Sequence, residues 1–167
     1  MLPLVYPMDM MRRKDRQQDI EFARRVVDET LHAVLSMVDE EGNPYAIPIS
    51  HARHGQVIYL HGATEGKKLR LIEKHPRVCL TCVGRTRLLS AEFSTEYESV
   101  IITGTAGIVT DEQERREGLL AIARKFSPDH MREAEAYIER SGAVTTVIRV
   151  TIESWSAKAK LPKKTNI

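Results

Sequence analysis

Apolar residues change their spacing along the first sixty positions of the chain. In residues 19–29 they recur at helical intervals, which predicts a surface helix with one apolar face formed by Ile20, Ala23, Val26 and Val27. Three shorter runs of β-branched and aromatic side chains follow, separated by glycine-containing turns, at residues 31–38, 45–52 and 56–60. These runs predict three strands of an antiparallel meander.

A strand pattern gives way to a helix pattern in the middle of the chain. Residues 57–60 form a short apolar run, whereas Leu69 and Ile72 have helical spacing, so the period changes between Gly62 and Gly66. Glycine lets the backbone turn tightly beside a ligand. A helix start offers free N–H groups and a positive dipole end to an anion.

The composition of this turn is compatible with a phosphate site. Lys67 and Lys68 add positive charge at the predicted helix start, and His61 stands at the mouth of the turn. An ordinary strand-loop-helix connection with solvated lysines is the simpler interpretation if the local pattern is taken alone. The pattern therefore leaves both interpretations open.

The second half of the chain predicts three more strands and two more helices. Residues 77–83 have a strand pattern, residues 84–96 are polar without a clear period, and residues 97–109 form a long strand with a bend at Gly104. Helices are expected at residues 110–126 and from Pro128 to just before Gly142. An alternating run at residues 144–154 predicts the last strand and leads to Trp155.

Composition limits the classes of function. A chain of 167 residues with 42% hydrophobic and 29% charged residues fits one globular domain, residues 1–167, with an N-terminal arm at 1–18 and a C-terminal tail at 159–167. A net charge of +2 does not indicate nucleic-acid binding. We see no secretory signal and no run long enough to span a membrane. With two cysteines, we expect a cytoplasmic protein.

Two local features have more than one interpretation. Cys79 and Cys82 form one CxxC pair, but residues three apart on a strand point to opposite faces and no further ligands stand at suitable spacing. We therefore expect no metal site and interpret both as small core residues. Pro48 lies inside a predicted strand, where its missing N–H implies a bulge or an edge.

Several motifs occur in an order that resembles a known family. They are Met11 to Arg16, Pro44 to Ser50, Tyr59 to Ala63 with Gly66 to Lys68, His75 to Val78, and Tyr97 to Val100 followed by Gly104 to Ala106. This set resembles the flavoproteins related to pyridoxamine phosphate oxidase, and within them it is most similar to the 5-nitroimidazole-resistance branch. The similarity runs from about Met11 to Trp155, and its specificity lies in the ordered set.

The resemblance implies a fold, a cofactor and a set of site residues. The implied fold is mainly β with peripheral helices (α+β), an antiparallel, Greek-key-like split β-barrel that binds FMN. The implied homodimer has its cofactor sites at the interface, with Ser99 offered to the partner's flavin. The implied cofactor-binding residues are Pro48, Ile49, Ser50, His61, Gly62, Ala63, Lys67, Lys68, Ser99, Trp155 and Lys158.

The chain also departs from the better-known oxidase of that family. Tyr45 and Ser50 stand where the oxidase places a basic pair, and its C-terminal arginine motif is reduced to Lys160-Leu161-Pro162. We therefore do not expect oxidation of pyridoxamine phosphate. FMN binding survives this objection, because the turn with Lys67 and Lys68 is retained.

The function that the resemblance implies is electron transfer from NADH or NADPH to a small acceptor such as a nitroaromatic. The flavin carries such chemistry, which agrees with the lack of a recognisable nucleophile–base constellation in the sequence. His61 is the candidate catalytic residue, as a proton donor or a cofactor contact. The alternative is a non-catalytic flavin or haem carrier of the same fold.

Overall fold

The computed structural model describes residues 11–141 and 144–162. The strands are β1 (Gln17–Gln18), β2 (His32–Val38), β3 (Pro44–His54), β4 (Val57–Gly62), β5 (Arg77–Leu89), β6 (Ser94–Ile108) and β7 (Thr146–Lys160). The helices are α1 (Ile20–Glu29), α2 (Lys67–Lys74), α3 (Glu112–Phe126) and α4 (Met131–Ser141). Asp19 and Asp111 cap α1 and α3 by accepting hydrogen bonds from the backbone N–H groups of Phe22 and Glu114.

The strands form one antiparallel sheet that closes on itself. Their order is β1-β7-β4-β3-β2-β5-β6, and β6 also pairs with β7 along most of its length. This last pairing removes the sheet edges that would otherwise remain exposed. The split-barrel prediction is therefore confirmed, and so is the meander of the first three predicted strands.

Strand β3 changes its neighbour halfway along its length. Residues 44–50 pair with β2, whereas His51 to His54 pair with β4. Pro48 lies in the first half of β3, which pairs with β2 and with no other described strand. Its missing N–H therefore removes no hydrogen bond to a second neighbouring strand. The edge position expected for Pro48 is confirmed.

Gly104 makes the closure of β6 onto β7 possible. The register of this pair shifts between Thr103 and Gly104. A Cβ atom at position 104 would lie 2.3 Å from the carbonyl oxygen of Thr151, which is a backbone atom. The bend predicted at Gly104 is thus a point of close backbone approach between two strands.

Apolar side chains from alternate strand positions fill the barrel interior. Leu35, Ile58, Leu80 and Ile102 are fully buried there. Helix α1 contributes Ala23, Val26 and Val27 to the same core, and α2 contributes Leu69, Leu71 and Ile72. Helix α3 covers the other side of β4, where a second cluster includes Ala52, Tyr59, Ile122 and Val147.

The sequence-based prediction for residues 84–96 was wrong. Strands β5 and β6 continue through this segment as a hairpin, joined by a 3₁₀ turn at Ser90–Glu92 and by Phe93 in the left-handed region. Residues 85–88 are exposed, so neither face of the hairpin needs an apolar pattern. Strand β7 likewise extends to Lys160, beyond the predicted end, while the expected helix end at Gly142 lies outside the described residues.

A buried polar group connects α1 to the barrel. His51 is fully buried on β3, with its Nε2 2.9 Å from the carbonyl oxygen of Val27 and 3.2 Å from Nζ of Lys125. Lys125 donates to the same carbonyl at 3.0 Å. Burial, together with the charge of Lys125, lowers the pKa of His51 to about 4. The ring is therefore neutral at pH 7.

We predict that alanine at Gly104 will destabilise the fold by about 2 kcal/mol or more, because a Cβ would overlap a backbone carbonyl that no side-chain rotation can move. Gly107→Ala on the same strand is the matched control, since nothing lies within 4 Å of a Cβ there. Urea denaturation of both variants checks the prediction. Equal losses for the two glycines would contradict it.

We predict that acid will destabilise the protein through His51. Between pH 6.5 and about 4 the unfolded chain binds a proton at His51 and the folded chain does not, so the free energy of unfolding falls as the pH falls. The loss over this window is on the order of 3 kcal/mol. His51→Gln keeps an N–H donor but cannot titrate, so its unfolding free energy should fall less over the same window. If the unfolding free energies of the unchanged protein and His51→Gln fell equally over this window, His51 would not be the cause of the acid destabilisation.

Candidate functional site

The turn between β4 and α2 lies at the split of the barrel. His51 pairs with Leu60, but β3 then leaves β4, so Ser50 and His61 stand on opposite sides of the gap. Strand β4 continues along β7 as far as Gly62. Gly66, with a φ of 140°, precedes α2 without a side-chain cap. The first N–H groups of α2 are thus free to meet a ligand. We call residues 61–68 the candidate phosphate site.

Lys68 lies over this turn. A Cβ at Gly62 would be 2.5 Å from the Lys68 ammonium, so glycine leaves the space that the ammonium occupies. Within the described residues, Lys68 makes no ion pair with an acidic side chain, and burial lowers its pKa. A partly desolvated cation without an acidic partner favours binding of an anion.

Lys67 points elsewhere. Its Nζ lies 4.4 Å from the ring centroid of Tyr45 on β3, which is a cation–π contact. Neighbouring residues of a helix point in directions about 100° apart, so the two lysines do not converge on one spot. The structure therefore brings Lys68, and not Lys67, over the candidate phosphate site.

His61 is exposed at the mouth of the site, and Ala63 is exposed beside it. Partial loss of hydration and the positive charge of Lys68 both lower the pKa of His61. The imidazole is therefore mostly neutral at pH 7, which suits a hydrogen-bonding contact better than proton donation. A catalytic role for His61 stays a prediction.

Four of the predicted site residues share the outside of the barrel. Pro48 and Ser50 on β3 face outward, as do Ser99 on β6 and Lys158 on β7, because each alternates with buried neighbours. Ser99 and Lys158 are direct cross-strand neighbours, and the Ser99 hydroxyl donates to the Lys158 carbonyl at 3.3 Å. Lys158 and Ser99 are thereby brought together by pairing of distant strands.

Two predicted residues face the opposite way. Ile49 is buried in the barrel core, and Trp155 packs against that core while half-buried. Both alternate with outward-facing neighbours on their strands. Contacts between these two side chains and a ligand on the outer surface stay predictions that this geometry does not favour.

An uncharged surface extends from Pro48 and Ser50 across the barrel. One row of cross-strand neighbours runs from Pro48 to Val34, Thr81, Ile101 and Ser156. Beside it lie Ala46, Ser36, Cys79, Thr103 and Ser154, and on the other side Ser50, His32, Val83 and Ser99. None of these residues is Lys, Arg, Asp or Glu. We call this set the outer face.

The sequence reasoning missed most of the outer face. Val34, Val83 and Ile101 are large apolar residues that expose 41%, 57% and 45% of their surface. The sequence did contain a signal for this face, since β2 has apolar residues at both odd and even positions. Ala33 and Leu35 point inside and Val34 points outside. Strands apolar on both faces are typical of sheets covered on both sides.

A cavity lies between the end of β4 and the helices α3 and α4. Its volume is about 540 Å³, and it shares His61 with the candidate phosphate site. Its walls are mainly apolar, formed by Leu119, Ile122, Phe126 and Ile138 among others, with His130 and Arg140 as polar members. This size is in the range of small-molecule sites.

A family model described as pyridoxamine 5'-phosphate oxidase matches residues 19–159. The chain belongs to this family. The resemblance recognised in the sequence motifs is thus confirmed at the level of the family. No curated protein matches the chain in sequence.

Several solved structures share the fold of this chain. A candidate 5-nitroimidazole antibiotic resistance protein from Bacteroides thetaiotaomicron is 22% identical, with a TM-score of 0.71 over 85% of this chain and 84% of that one. The flavocytochrome Anf3 from Azotobacter vinelandii is 22% identical, with a TM-score of 0.76 over 94% and 75%. An FAD and haem binding protein from Mycobacterium smegmatis is 24% identical, with a TM-score of 0.74 over 90% and 77%.

The helices of this family member give no sign of membrane insertion. Among residues 11–141 and 144–162, none of them combines the length and the apolar character that a membrane crossing needs.

Proposed function

We propose that the chain is an FMN-binding reductase that passes electrons from NADH or NADPH to a small acceptor such as a nitroaromatic. The observation that carries the proposal is the position of Lys68 over Gly62 at the start of α2, beside the split that leads to the outer face. The phosphate of FMN would bind the N–H groups and Lys68. The flavin supplies hydride transfer when bound.

The outer face supports the position of the ring. Pro48 and Ser50 lie on β3, which lacks a second neighbour in this half, so backbone groups there are available to a flavin edge. Val34 and Ile101 provide apolar surface for a planar ring. His61 would contact the cofactor between its phosphate and its ring, at the split of the barrel.

We further propose that two copies of the chain associate through the outer face and enclose the cofactor. An uncharged, partly apolar surface on the outside of a barrel is costly to leave in water and is typical of protein interfaces. Pairing two such faces would bury Val34 and Ile101. It would also bring Ser99 of each copy towards the flavin of the other, as the resemblance implies.

A second candidate function is a flavin or haem carrier without turnover. The observation that favours it is the 540 Å³ cavity, which is largely apolar and contains both His61 and His130. Haem requires an apolar pocket and an axial ligand, commonly imidazole. Two of the structural relatives are named for haem or for a flavocytochrome, which gives this candidate its weight.

The visible spectrum of the protein, with NADH or NADPH added anaerobically, separates the two functions. A reductase shows flavin bands that bleach rapidly and return when a nitroaromatic is added. A carrier shows flavin or haem bands that the nicotinamide does not change. A protein that stays colourless with added FMN and haem contradicts both.

We predict that Lys68→Met will weaken FMN binding about tenfold or more, because it removes the cation over the phosphate site. Riboflavin, which lacks the phosphate, should bind the variant and the unchanged protein equally. Lys67→Met is the matched control and should lose less, since its ammonium rests on Tyr45. Fluorescence titration measures all three proteins, and thermal unfolding verifies their folds. Unaltered FMN affinity in Lys68→Met would remove the phosphate-site argument.

We predict that Ile101→Asp will convert the protein to monomers, because it places a charge in the centre of the outer face. Phe93→Asp is the control, since Phe93 is an equally apolar exposed side chain on the β5–β6 turn, away from that face. Sedimentation velocity should give a dimer for the unchanged protein and for Phe93→Asp. A monomeric unchanged protein would rule out the dimer.

A further inference from the structure

The N-terminal segment places Arg16 beside the first residues of β6. Strand β1 pairs with β7 through Gln17 and Lys158, which fixes the preceding turn against the barrel. Arg16 Nη1 then donates to the hydroxyl oxygen of Tyr97 at 3.2 Å, and the guanidinium lies 5.9 Å from the ring centroid. A residue of this basic segment is thus attached to a specific phenol.

Lys158 lies close to Arg16 and Tyr97 and is the third member of this group. It lies on β7 between Gln17 and Ser99, and Tyr97 is two residues from Ser99 on the same outward side of β6. Partial burial alone would raise the pKa of Tyr97, but the hydrogen bond from Arg16 and the charge of Lys158 outweigh it and lower the pKa. We call Arg16, Tyr97 and Lys158 the cationic cluster.

The acidic groups near this cluster are already engaged. Asp15 binds Arg13 at 2.5 Å. Glu96 binds Arg87 at 2.7 Å, and Glu98 binds Arg25 at 2.9 Å. The remaining nearby cation, Lys160, donates to the hydroxyl of Ser94.

Among the described residues, Arg16 and Lys158 make no ion pair, and the carboxylate of Asp15, next to Arg16 in the chain, interacts chiefly with Arg13. Both cations are half-buried. Partial burial of such cations without compensation is unfavourable. Two of them beside a phenol form a place where an anion is stabilised.

The cluster adjoins the uncharged outer face. Ser99 belongs to that face, and Ile101 follows it on β6. A planar ligand lying over Val83 and Ser99, beside the residues proposed for the flavin ring, would have one end towards the cluster. The arrangement combines an apolar plane with positive charge at a single edge.

We propose that the cationic cluster binds the carboxylate, or an equivalent anionic group, of a small planar electron acceptor. This inference rests on the proposed flavin reductase and names its substrate class. The guanidinium of Arg16 offers paired donors that match a carboxylate, Lys158 adds a point charge, and the Tyr97 hydroxyl donates a further bond. The acceptor ring would lie on the outer face, next to the cofactor.

The test compares two nitroaromatic acceptors of similar size, one anionic and one neutral. The probes are 4-nitrobenzoate and the neutral 4-nitrobenzyl alcohol, each measured for binding to the full chain by equilibrium dialysis and for kcat/KM with FMN and NADH or NADPH. We expect the unchanged protein to prefer 4-nitrobenzoate at least tenfold at low salt. The preference should shrink as the ionic strength rises.

Variants show which residues cause the preference for 4-nitrobenzoate. Arg16→Met and Lys158→Met should each lose most of this preference. Arg16→Met should leave the neutral probe unaffected, and for Lys158→Met the dialysis measurement, which needs no flavin, is the one compared. Tyr97→Phe should lose a smaller part, several-fold. Lys14→Met is the matched control, because Lys14 is an exposed cation in the same turn and makes no contact with Tyr97. It should retain the full preference.

Several results would overturn the inference. Equal affinity of the unchanged protein for both probes would do so, as would an undiminished preference in Arg16→Met and Lys158→Met. A Lys158→Met variant that loses FMN but keeps the preference would assign Lys158 to the cofactor phosphate instead. Dialysis needs no flavin, so a protein that binds 4-nitrobenzoate through the cluster but never binds FMN would disprove the proposed function and not the anion site.

Discussion

Closure of the barrel depends on β7, which pairs with two neighbouring strands. Strand β7 pairs with β4 along its first half and with β6 along most of its length. The chain can bring β6 and β7 together because Gly104 presents no Cβ to the Thr151 carbonyl. The outward-facing residues of β6 and β7 meet through this closure, since it places Ser99 beside Lys158.

The charges of the molecule fall into two groups. Most described acidic side chains near the barrel are paired with arginine, as Glu98 is with Arg25. Several cations have no such partner among the described residues, and three of them, Lys68, Arg16 and Lys158, border the uncharged outer face. Since unpaired charge beside apolar surface is unfavourable unless a ligand compensates it, the binding chemistry is expected at this border.

Local sequence signals predicted the elements well where periodicity was strong. The helix at residues 19–29 and the strand-to-helix change between Gly62 and Gly66 are confirmed, because local hydrogen bonds and burial period decide them. The 84–96 hairpin was missed because residues 85–88 are exposed on both faces of β5, so they carry no apolar pattern and backbone pairing specifies the strand there. The direction of Lys67 was also missed, since helix geometry separates neighbouring side chains.

The sequence by itself determined the family, six of the seven described strands, the four described α-helices and the glycine-lysine turn, since these features reside in contiguous residues. The tertiary structure decided which face each strand presents, because pairing register assigns Ile49 and Trp155 to the interior and Ser50 and Lys158 to the outside. It also decided which distant charges meet. Arg16 and Tyr97 are 81 residues apart, and only barrel closure with the β1–β7 pairing makes them neighbours.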